Sequence, residues 1–361
     1  MVKYMEAAMA LNTSPVIGVK EGKICYANPA AKDTFGDKVK LGQYAIDLIP
    51  EQILFSGESN FASTVRYGDA IYAITAAPIS DVLYFCMSPQ QSLQTLWPLS
   101  SGLLAHLLSS LSVVGLSIDH IKQTLEDQGF TELSSVLASQ RHSYYSVWRQ
   151  IYNLDLLHKL HNNSAFVLLH FVDLVDFCRK IIDTSNFLSS DKQAKIQFSS
   201  AVEQLPLMIN YDMIQHLLLN LLSNSLAHTP ADGEIQVKVT QQVDYAVISV
   251  QDNGEGISPE KLQAIFTQIR LPLDANHPER AYSAGLGLFV ANGIARLHGG
   301  TLVISSQPEH GTSVFISIPI RTQTELHSPV ESLDDKMSLT PFLIQLADVL
   351  DLSRYGDNRL E

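Results

Sequence analysis

The protein has 361 residues, and its 24 basic and 37 acidic side chains give a formal net charge of −13 at pH 7. A chain of this length exceeds what one hydrophobic core supports, so two or three domains are expected. The negative charge argues against nucleic-acid binding, and a hydrophobic fraction of 46% argues against global disorder.

Residues 1–88 are predicted to form an α+β domain with a mostly antiparallel sheet. Val16–Asn28 reads as a β-hairpin that turns at Glu21 and Gly22, followed by a short helix closed by Gly36. Two further strands turn near Tyr67–Asp69, and an apolar strand follows. The N-terminus has no apolar core behind a basic segment, so no signal peptide is predicted. The three widely spaced cysteines indicate buried thiols in a reducing cytoplasm.

Charged residues make up only 17% of the chain, and residues 82–118 contain none. Leu99–Ile118 is long enough to span a bilayer but contains six serines and a histidine. An apolar stripe at helical spacing continues beyond Asp119 and Lys122, which favours a helix packed in a bundle over a membrane span. The stripe consists of Leu103, Leu107, Leu111, Val114, Ile118, Ile121 and Leu125.

A second amphipathic helix is predicted from about Thr131 to Leu160, after a short turn at Asp127–Phe130. The two helices would form an antiparallel hairpin within residues 89–164. One hairpin has only a thin core, so two hairpins from two subunits are expected to form a four-helix bundle. The sequence therefore predicts a homodimer.

Residues 165–322 are predicted to form a second α+β region, an α/β sandwich. Residues 323–361 are predicted to form an acidic, flexible tail with one short helical patch at Pro341–Leu350. Four motifs in the α+β region are informative in combination. Asn220 and Asn224 share one face of an apolar helix, which suggests a polar ligand or an oxygen-bound metal. The other three motifs are Asp252-Asn-Gly254-Glu-Gly256 after a strand, Ile265-Phe266 before a polar segment, and Gly285-Leu286-Gly287-Leu288 opening a helix, where backbone N–H groups can bind phosphate.

Together these motifs resemble the ATP-binding domain of the gyrase, heat-shock chaperone, histidine kinase and MutL superfamily, and they are most similar to bacterial sensor histidine kinases. The resemblance implies that Asn224 coordinates Mg²⁺ on the phosphates of ATP beside Asn220. It implies that Asp252 accepts a hydrogen bond from the adenine amino group and that Gly254 and Gly256 let the base sit close. The remaining residues implied to line the nucleotide site are His228, Phe266, Arg280, Gly285, Gly287, Leu288 and Thr312.

Three positions differ from the family pattern or divide its members. Hydrolytic members carry a Glu general base where this chain has Asn220, and an amide cannot take a proton from water, so a kinase is favoured. Ala227 replaces a common lysine, and Ser283 replaces the first glycine of the glycine-rich stretch. Arg270, His277 and Arg280 remain as possible phosphate partners, and we expect ATP binding, with some weakening.

The helical hairpin resembles the dimerisation and phosphotransfer domain of the same kinases, and His106 fits best as the phosphoacceptor. The family usually has an acidic residue after this histidine, where it would orient the imidazole, but this chain has Leu107. His106 as an ordinary helix residue, and His120 as acceptor, remain alternatives.

The segment around Tyr26-Ala-Asn28-Pro29-Ala30 and Phe35-Gly36 resembles a PAS sensor domain, which implies a small ligand or a protein partner there. The resulting expectation is a cytoplasmic, homodimeric histidine kinase that phosphorylates itself from ATP and passes the phosphoryl group to a response regulator. A pseudokinase or scaffold that signals by partner binding is the first alternative, and a membrane-anchored kinase is the second.

Overall fold

The computed structural model describes residues 9, 13–54, 61–68, 70–79, 81–90, 101–127, 134–161, 168–191, 194–266, 286–320 and 338–355. These residues form an N-terminal domain, two long helices, an α/β domain and a short tail segment, which we define as residues 338–355.

The N-terminal domain is a five-stranded antiparallel sheet in the order β2-β1-β5-β4-β3, with short helices packed against it. Its first hairpin turns at Glu21 and Gly22, as expected, and both residues have positive φ angles. The side chain of Asn28 caps the first helix by accepting a hydrogen bond from the N–H of Ala31, and the helix ends at Gly36. The elements are β1 (Val16–Lys20), β2 (Lys23–Ala27), α1 (Pro29–Phe35), α2 (Glu51–Leu54), β3 (Phe61–Tyr67), β4 (Ala70–Ile79) and β5 (Val82–Pro89).

The two long helices, α3 (Ser101–Asp127) and α4 (Ser134–His161), pack against each other in antiparallel directions. Gly115 lies against the ring of Tyr144, and Asp119 lies 3.5 Å from Arg141. These two contacts fix the register of the antiparallel pair. The same register places His106 at the level of Asn153.

The apolar stripe predicted on α3 does not face α4. Leu104 and Gly115 are buried against the second helix, whereas Leu107, Val114 and Ile121 of the stripe are exposed. Within the described residues, Leu103–Leu125 is the one helix long and apolar enough to cross a membrane, with a mean hydropathy of 1.4. Length and composition alone support that possibility, and core helices of soluble proteins pass the same test.

The α/β domain stacks helices on a sheet in the order β11-β12-β10-β9-β7, in which β7 runs parallel to β9 and the other pairs are antiparallel. The strongly apolar α6 lies in the centre of the core, so it is buried on almost all sides. The elements are β6 (His170–Asp173), α5 (Leu174–Leu188), β7 (Lys195–Ser200), β8 (Pro206–Ile209), α6 (Tyr211–His228), β9 (Glu234–Gln242), β10 (Tyr245–Asp252), α7 (Pro259–Ala264), α8 (Leu286–Leu297), β11 (Thr301–Ser306) and β12 (Thr312–Pro319).

A backbone ladder joins the N-terminal domain to the α/β domain. Strand β3 pairs antiparallel with β11, and the two sheets thereby become one sheet of ten strands. The hydroxyl of Ser63 donates to the carbonyl of Leu302 at 2.6 Å, and the hydroxyl of Thr64 donates to the side chain of Asn292 at 3.0 Å. Both hydrogen bonds are buried, so they add to the backbone pairing between the two domains.

The expectation of a flexible tail is wrong for the tail segment. Residues Thr340–Gln345 form helix α9, and Leu352–Tyr355 form a 3₁₀ turn, within the helical patch predicted at Pro341–Leu350 and just beyond it. These residues pack into the same core as α4 and α6. The buried apolar side chains are Phe342, Leu343, Ile344, Leu346, Ala347, Val349, Leu350 and Tyr355.

Candidate functional site

The carboxylate of Asp252 lies at the end of β10 and is fixed by three donors. Its Oδ1 accepts hydrogen bonds from the backbone N–H groups of Gly254 at 3.0 Å and Thr312 at 3.1 Å. Its Oδ2 accepts from the hydroxyl of Ser225 at 3.0 Å. Each carboxylate oxygen has two lone pairs, so Oδ2 keeps capacity for one more donor. The carboxylate is therefore oriented in advance to accept a hydrogen bond from a ligand N–H.

The two glycines after Asp252 allow segments of the protein backbone to pack closely. A Cβ at Gly254 would lie 2.5 Å from the carbonyl oxygen of His228, and one at Gly256 would lie 2.0 Å from that of Gln307. Gly256 also has a φ of +69°, which other residues rarely adopt. Glycine was expected at these positions to leave room for a base. In the structure, protein backbone lies where a side chain would be, so close backbone packing requires glycine.

Asn220 and Asn224 lie one turn apart on α6, as the sequence predicts. Asn220 is fully buried, and neither its Oδ1 nor its Nδ2 has a hydrogen-bond partner among the described residues. Gly287, in the first turn of α8, lies directly against it, because a Cβ there would be 3.1 Å from Asn220 Oδ1. A buried amide without partners is costly, so it indicates a polar group that a ligand supplies. Asn224 is half-buried, at the more open end of the helix.

A contact between His228 and Glu255 marks the rim of the site. His228 Nδ1 and Glu255 Oε1 are 2.8 Å apart, and both side chains are more than half exposed. A cleft of about 450 Å³ opens beside them and is also lined by Ala227 and Gly254. Ala227 is exposed at the position where the resemblance would place a lysine, so no cation reaches the site from that position.

Two expected site residues lie partly or wholly in the core. Phe266 is 1% exposed, and its ring meets that of Phe289 edge to face at a centroid distance of 5.9 Å. Its ring is buried among apolar side chains, and its contact with nucleotide stays a prediction. Leu288 is half-buried and packs against the same core. Arg270, His277, Arg280, Ser283 and Gly285 lie outside the described residues.

Sequence reasoning did not identify the part that Ser225 and His298 play around the site. Ser225 orients Asp252, and the only signal for it is its position beside Asn224. His298 accepts from the backbone N–H of Asn210 through Nε2 and lies 2.8 Å from the Ile294 carbonyl through Nδ1. It thereby ties the end of α8 to the residue that caps α6.

His106 lies on α3, exposed and on the face turned away from α4. It is two residues from the buried Leu104, which corresponds to a rotation of roughly 200° around the helix axis. His120 is also exposed, further along the same helix. Helix α4 separates α3 from the α/β domain, because α8 packs on α4 where Gly293 lies against Leu160.

The donors at the site suit Mg²⁺ held jointly with phosphate groups. The described residues contain no cluster of three or more His, Cys, Asp or Glu side chains that could hold a metal by themselves. Mg²⁺ typically uses one or two protein oxygen ligands together with substrate phosphates and water. The amide oxygen of Asn224, next to the unpartnered Asn220, fits that requirement.

A family model described as "Histidine kinase-, DNA gyrase B-, and HSP90-like ATPase" matches residues 209–322. That range contains Asn220, Asp252, Gly287 and Thr312, which the fold brings together. Residues 209–322 of the α/β domain are therefore similar to this family.

The similar proteins found are named sensor kinases. The adaptive-response sensory kinase SasA of Microcystis aeruginosa is 30% identical over 61% of this chain and 58% of its own length. The sensor histidine kinase YvrG of Bacillus subtilis is 25% identical over 58% of this chain and 35% of its own length. The chain thus spans less than two thirds of these relatives. The resemblance to sensor histidine kinases is confirmed.

Among solved structures, full-length ShkA in complex with AMPPNP has a TM-score of 0.51 to this chain. The likeness covers 69% of this chain and 54% of ShkA, at 18% sequence identity. At that identity it shows a shared fold.

Proposed function

We propose that the protein is a sensor histidine kinase, which transfers the γ-phosphoryl group of ATP to His106 and then to an Asp of a response regulator. The observation that carries the proposal is the fully buried, unpartnered amide of Asn220 under Gly287, on the same helix as the Ser225 that holds Asp252. The family of the α/β domain and the named sensor kinases among its relatives support it.

The adenine end of ATP would be recognised at Asp252. Its Oδ2, already held by Ser225, has a free lone pair for the exocyclic amino group. At the phosphate end, the backbone at Gly287 and the amide of Asn220 would contact phosphate oxygens. Asn224 would hold Mg²⁺, which when bound neutralises charge on the phosphates.

Phosphoryl transfer would then need little covalent chemistry from the protein. The lone pair of an imidazole nitrogen of His106 attacks the γ-phosphorus, an N–P bond forms, and the bond to the β-phosphate oxygen breaks to release ADP. A carboxylate oxygen of the response regulator next attacks the same phosphorus, and neutral imidazole leaves. Asn220 offers no carboxylate to activate water, so ATP hydrolysis at this site is disfavoured.

The exposed apolar face of α3 supports a homodimer. Leu103, Leu107, Val114 and Ile121 remain exposed in one protomer, on a helix that packs on one side only against α4. A second copy would cover them in a four-helix bundle, since helices with such stripes are rarely stable facing water. A dimer would cover this apolar face without a lipid bilayer. We therefore propose that the protein is cytoplasmic.

We further propose that residues 1–88 are a PAS-type sensor, 89–164 the phosphotransfer hairpin and 165–322 the catalytic domain. The antiparallel sheet of the N-terminal domain and its direct ladder to the α/β domain support a sensing role. Its ligand or protein partner is not specified by any described side chain.

A pseudokinase is the second candidate, and two observations favour it. Leu107 follows the exposed His106 and cannot orient its imidazole, and Ala227 leaves the rim of the site without a lysine. Such a protein would bind ATP and signal through a partner without transferring phosphate.

The deciding experiment incubates the purified protein with Mg²⁺ and ATP labelled at the γ-phosphate. Wild type is compared with His106→Ala and with His120→Ala, a matched control on an exposed histidine of the same helix. Acid-labile label that is lost only in His106→Ala supports the kinase. ATP binding without label identifies the pseudokinase, and label lost only in His120→Ala assigns the acceptor to the other histidine.

A further inference from the structure

The tail segment contacts the hairpin and the α/β domain at the same time. On the hairpin side, Arg149 of α4 donates to Asp348 at 2.6 Å, and Arg141 donates to the backbone carbonyl of Tyr355 at 3.1 Å. A ring nitrogen of His142 lies 2.9 Å from the carbonyl oxygen of Ala347. Three side chains of α4, spread over about two helical turns, are therefore bonded to the tail segment.

On the other side, the tail segment holds the end of α5 and packs against α6. The guanidinium of Arg354 lies 3.0 Å from the carboxylate of Asp191, donates to the hydroxyl of Ser190 and stacks over the ring of Phe187. Helix α9 lies against α6, which carries Asn220. The tail segment thus bridges the helix that pairs with the phosphoacceptor helix and the helix that carries the nucleotide site.

Buried polar groups lie at this junction beside the buried apolar side chains of the tail segment. Arg149 is only 2% exposed at its side chain, and its ionic partner Asp348 belongs to the tail segment. The Nε of Arg149, the Nε2 of Gln215 on α6 and the Oε1 of Gln345 on α9 are buried without partners among the described residues. Burial lowers the pKa of Arg149, and the charge of Asp348 opposes that shift. Buried ionic and unsatisfied groups offset part of the stability that apolar burial gives the closed junction.

The closed junction keeps the nucleotide site away from His106 of the same protomer. The α/β domain packs on α4, while His106 lies on the face of α3 that points away from α4. A γ-phosphate bound near Asn220 must be brought to that imidazole before it can be attacked. The α/β domain therefore has to change its position relative to the hairpin, and the tail segment opposes that movement.

We propose that residues 338–355 form an autoinhibitory clamp, which holds the α/β domain on α4 and must detach from α4 before His106 is phosphorylated. This inference rests on the proposed kinase function. The Arg149–Asp348 ion pair joins the clamp to α4, so its loss shifts the protein toward the open arrangement. A partner that binds the detached tail segment would therefore activate the kinase.

The test compares a released and a locked form. Asp348→Asn removes one charge of the ion pair and keeps the size of the side chain. Ser146→Cys with Asp348→Cys, in a Cys25→Ser background, places two thiols where the Ser146 hydroxyl and Asp348 carboxylate lie 3.4 Å apart. The oxidised protein is then locked and the same protein after reduction is released. Asp176→Asn, which breaks the Asp176–Lys180 pair on α5 outside the clamp, is the matched control.

Initial rates of acid-labile labelling from γ-labelled ATP are measured for every form, after circular dichroism has established that each is folded. Asp348→Asn is expected to label about tenfold faster than wild type, from the shift in a two-state equilibrium. The oxidised protein should label about tenfold or more slowly than its reduced form, and Asp176→Asn should match wild type.

Equal labelling of the oxidised and reduced proteins, or slower labelling of a folded Asp348→Asn, overturns the clamp and leaves the kinase in place. If no form is labelled although ATP binds, the kinase proposal fails and the clamp fails with it. Faster hydrogen exchange in residues 338–355 of Asp348→Asn, together with faster labelling, supports detachment of the tail segment as the cause.

Discussion

The buried His216, at the contact between α6 and α4, makes the unfolding free energy of the protein depend on pH. It lies on α6, where its Nε2 donates to Asn153 Oδ1 of α4 at 2.8 Å. Burial, with a smaller contribution from the positive charge of Arg149, lowers the pKa of His216 to about 3. The unfolded chain therefore binds a proton at this residue below pH 6.5, the ordinary pKa, while the folded chain does not. The contribution of His216 to the unfolding free energy is complete above that pH and is lost as the pH falls toward 3.

The size of the effect follows from the two pKa values. Lowering the pH from 7.5 to 5.0 should cost about 2 kcal/mol of unfolding free energy through His216 alone. His216→Gln keeps a donor for Asn153 and removes the titration. The predicted result is that the loss of stability between these pH values is about 2 kcal/mol smaller in His216→Gln than in wild type.

Urea unfolding followed by the fluorescence of Trp148 measures this difference, because Trp148 packs against the core from α4. The second tryptophan, Trp97, is replaced by Phe in both proteins. Comparing two variants cancels the titration of the carboxylates that they share. Equal pH dependence in wild type and His216→Gln would refute the assignment of a buried, neutral histidine to this contact.

Three further predictions concern the nucleotide site and the junction between the two sheets. Asp252→Asn places an amide donor where an adenine amino group must donate, so ATP affinity measured by calorimetry should fall about 10-fold to 100-fold. Gly256→Ala forces a Cβ against a backbone carbonyl and should lower the unfolding free energy by about 2–4 kcal/mol. Gly42→Ala, at another positive φ but in open space, should cost only about 1 kcal/mol in the same denaturation assay. Thr64→Val leaves the buried side chain of Asn292 without its donor and should cost about 1–3 kcal/mol by denaturation.

Each of these has a contradicting result. Unchanged ATP affinity in Asp252→Asn would remove the carboxylate from adenine recognition. Equal costs for the alanine variants of Gly256 and Gly42 would mean that backbone strain, and not contact with the carbonyl of Gln307, explains the glycine. An unchanged unfolding free energy in Thr64→Val would show that the two sheets are held together by β3–β11 pairing alone.

Local patterns in the sequence predicted most of the helices and strands and the motifs of the candidate site. The alternation around β1 and β2, the caps of the helices and the four motifs in order are properties of neighbouring residues. Asn220 and Asn224 needed only a helical period to share a face. The orientation of Asp252 by Ser225 was not predicted, because it depends on where β10 ends relative to α6.

The tail segment shows how composition can conceal a pattern. Its acidic character favoured flexibility, yet Phe342, Leu346 and Leu350 recur at a helical spacing within it, and all three are buried. A short helical patch was predicted at Pro341–Leu350, but its burial was not. Even so, a periodic apolar face indicates only that a segment is covered, and not that α4 and α6 cover it.

The sequence by itself determined the α/β nucleotide fold, the hairpin helices and the charge-free stretch whose apolar face on α3 is exposed in one protomer. Tertiary structure alone decided that β3 joins β11, that Phe266 is buried and that the tail segment closes over α4. These are contacts between distant segments, made by backbone groups at a sheet edge or by apolar faces that many partners fit equally well. Local sequence determines which surfaces must be buried. The packing of the whole chain determines which segments bury them.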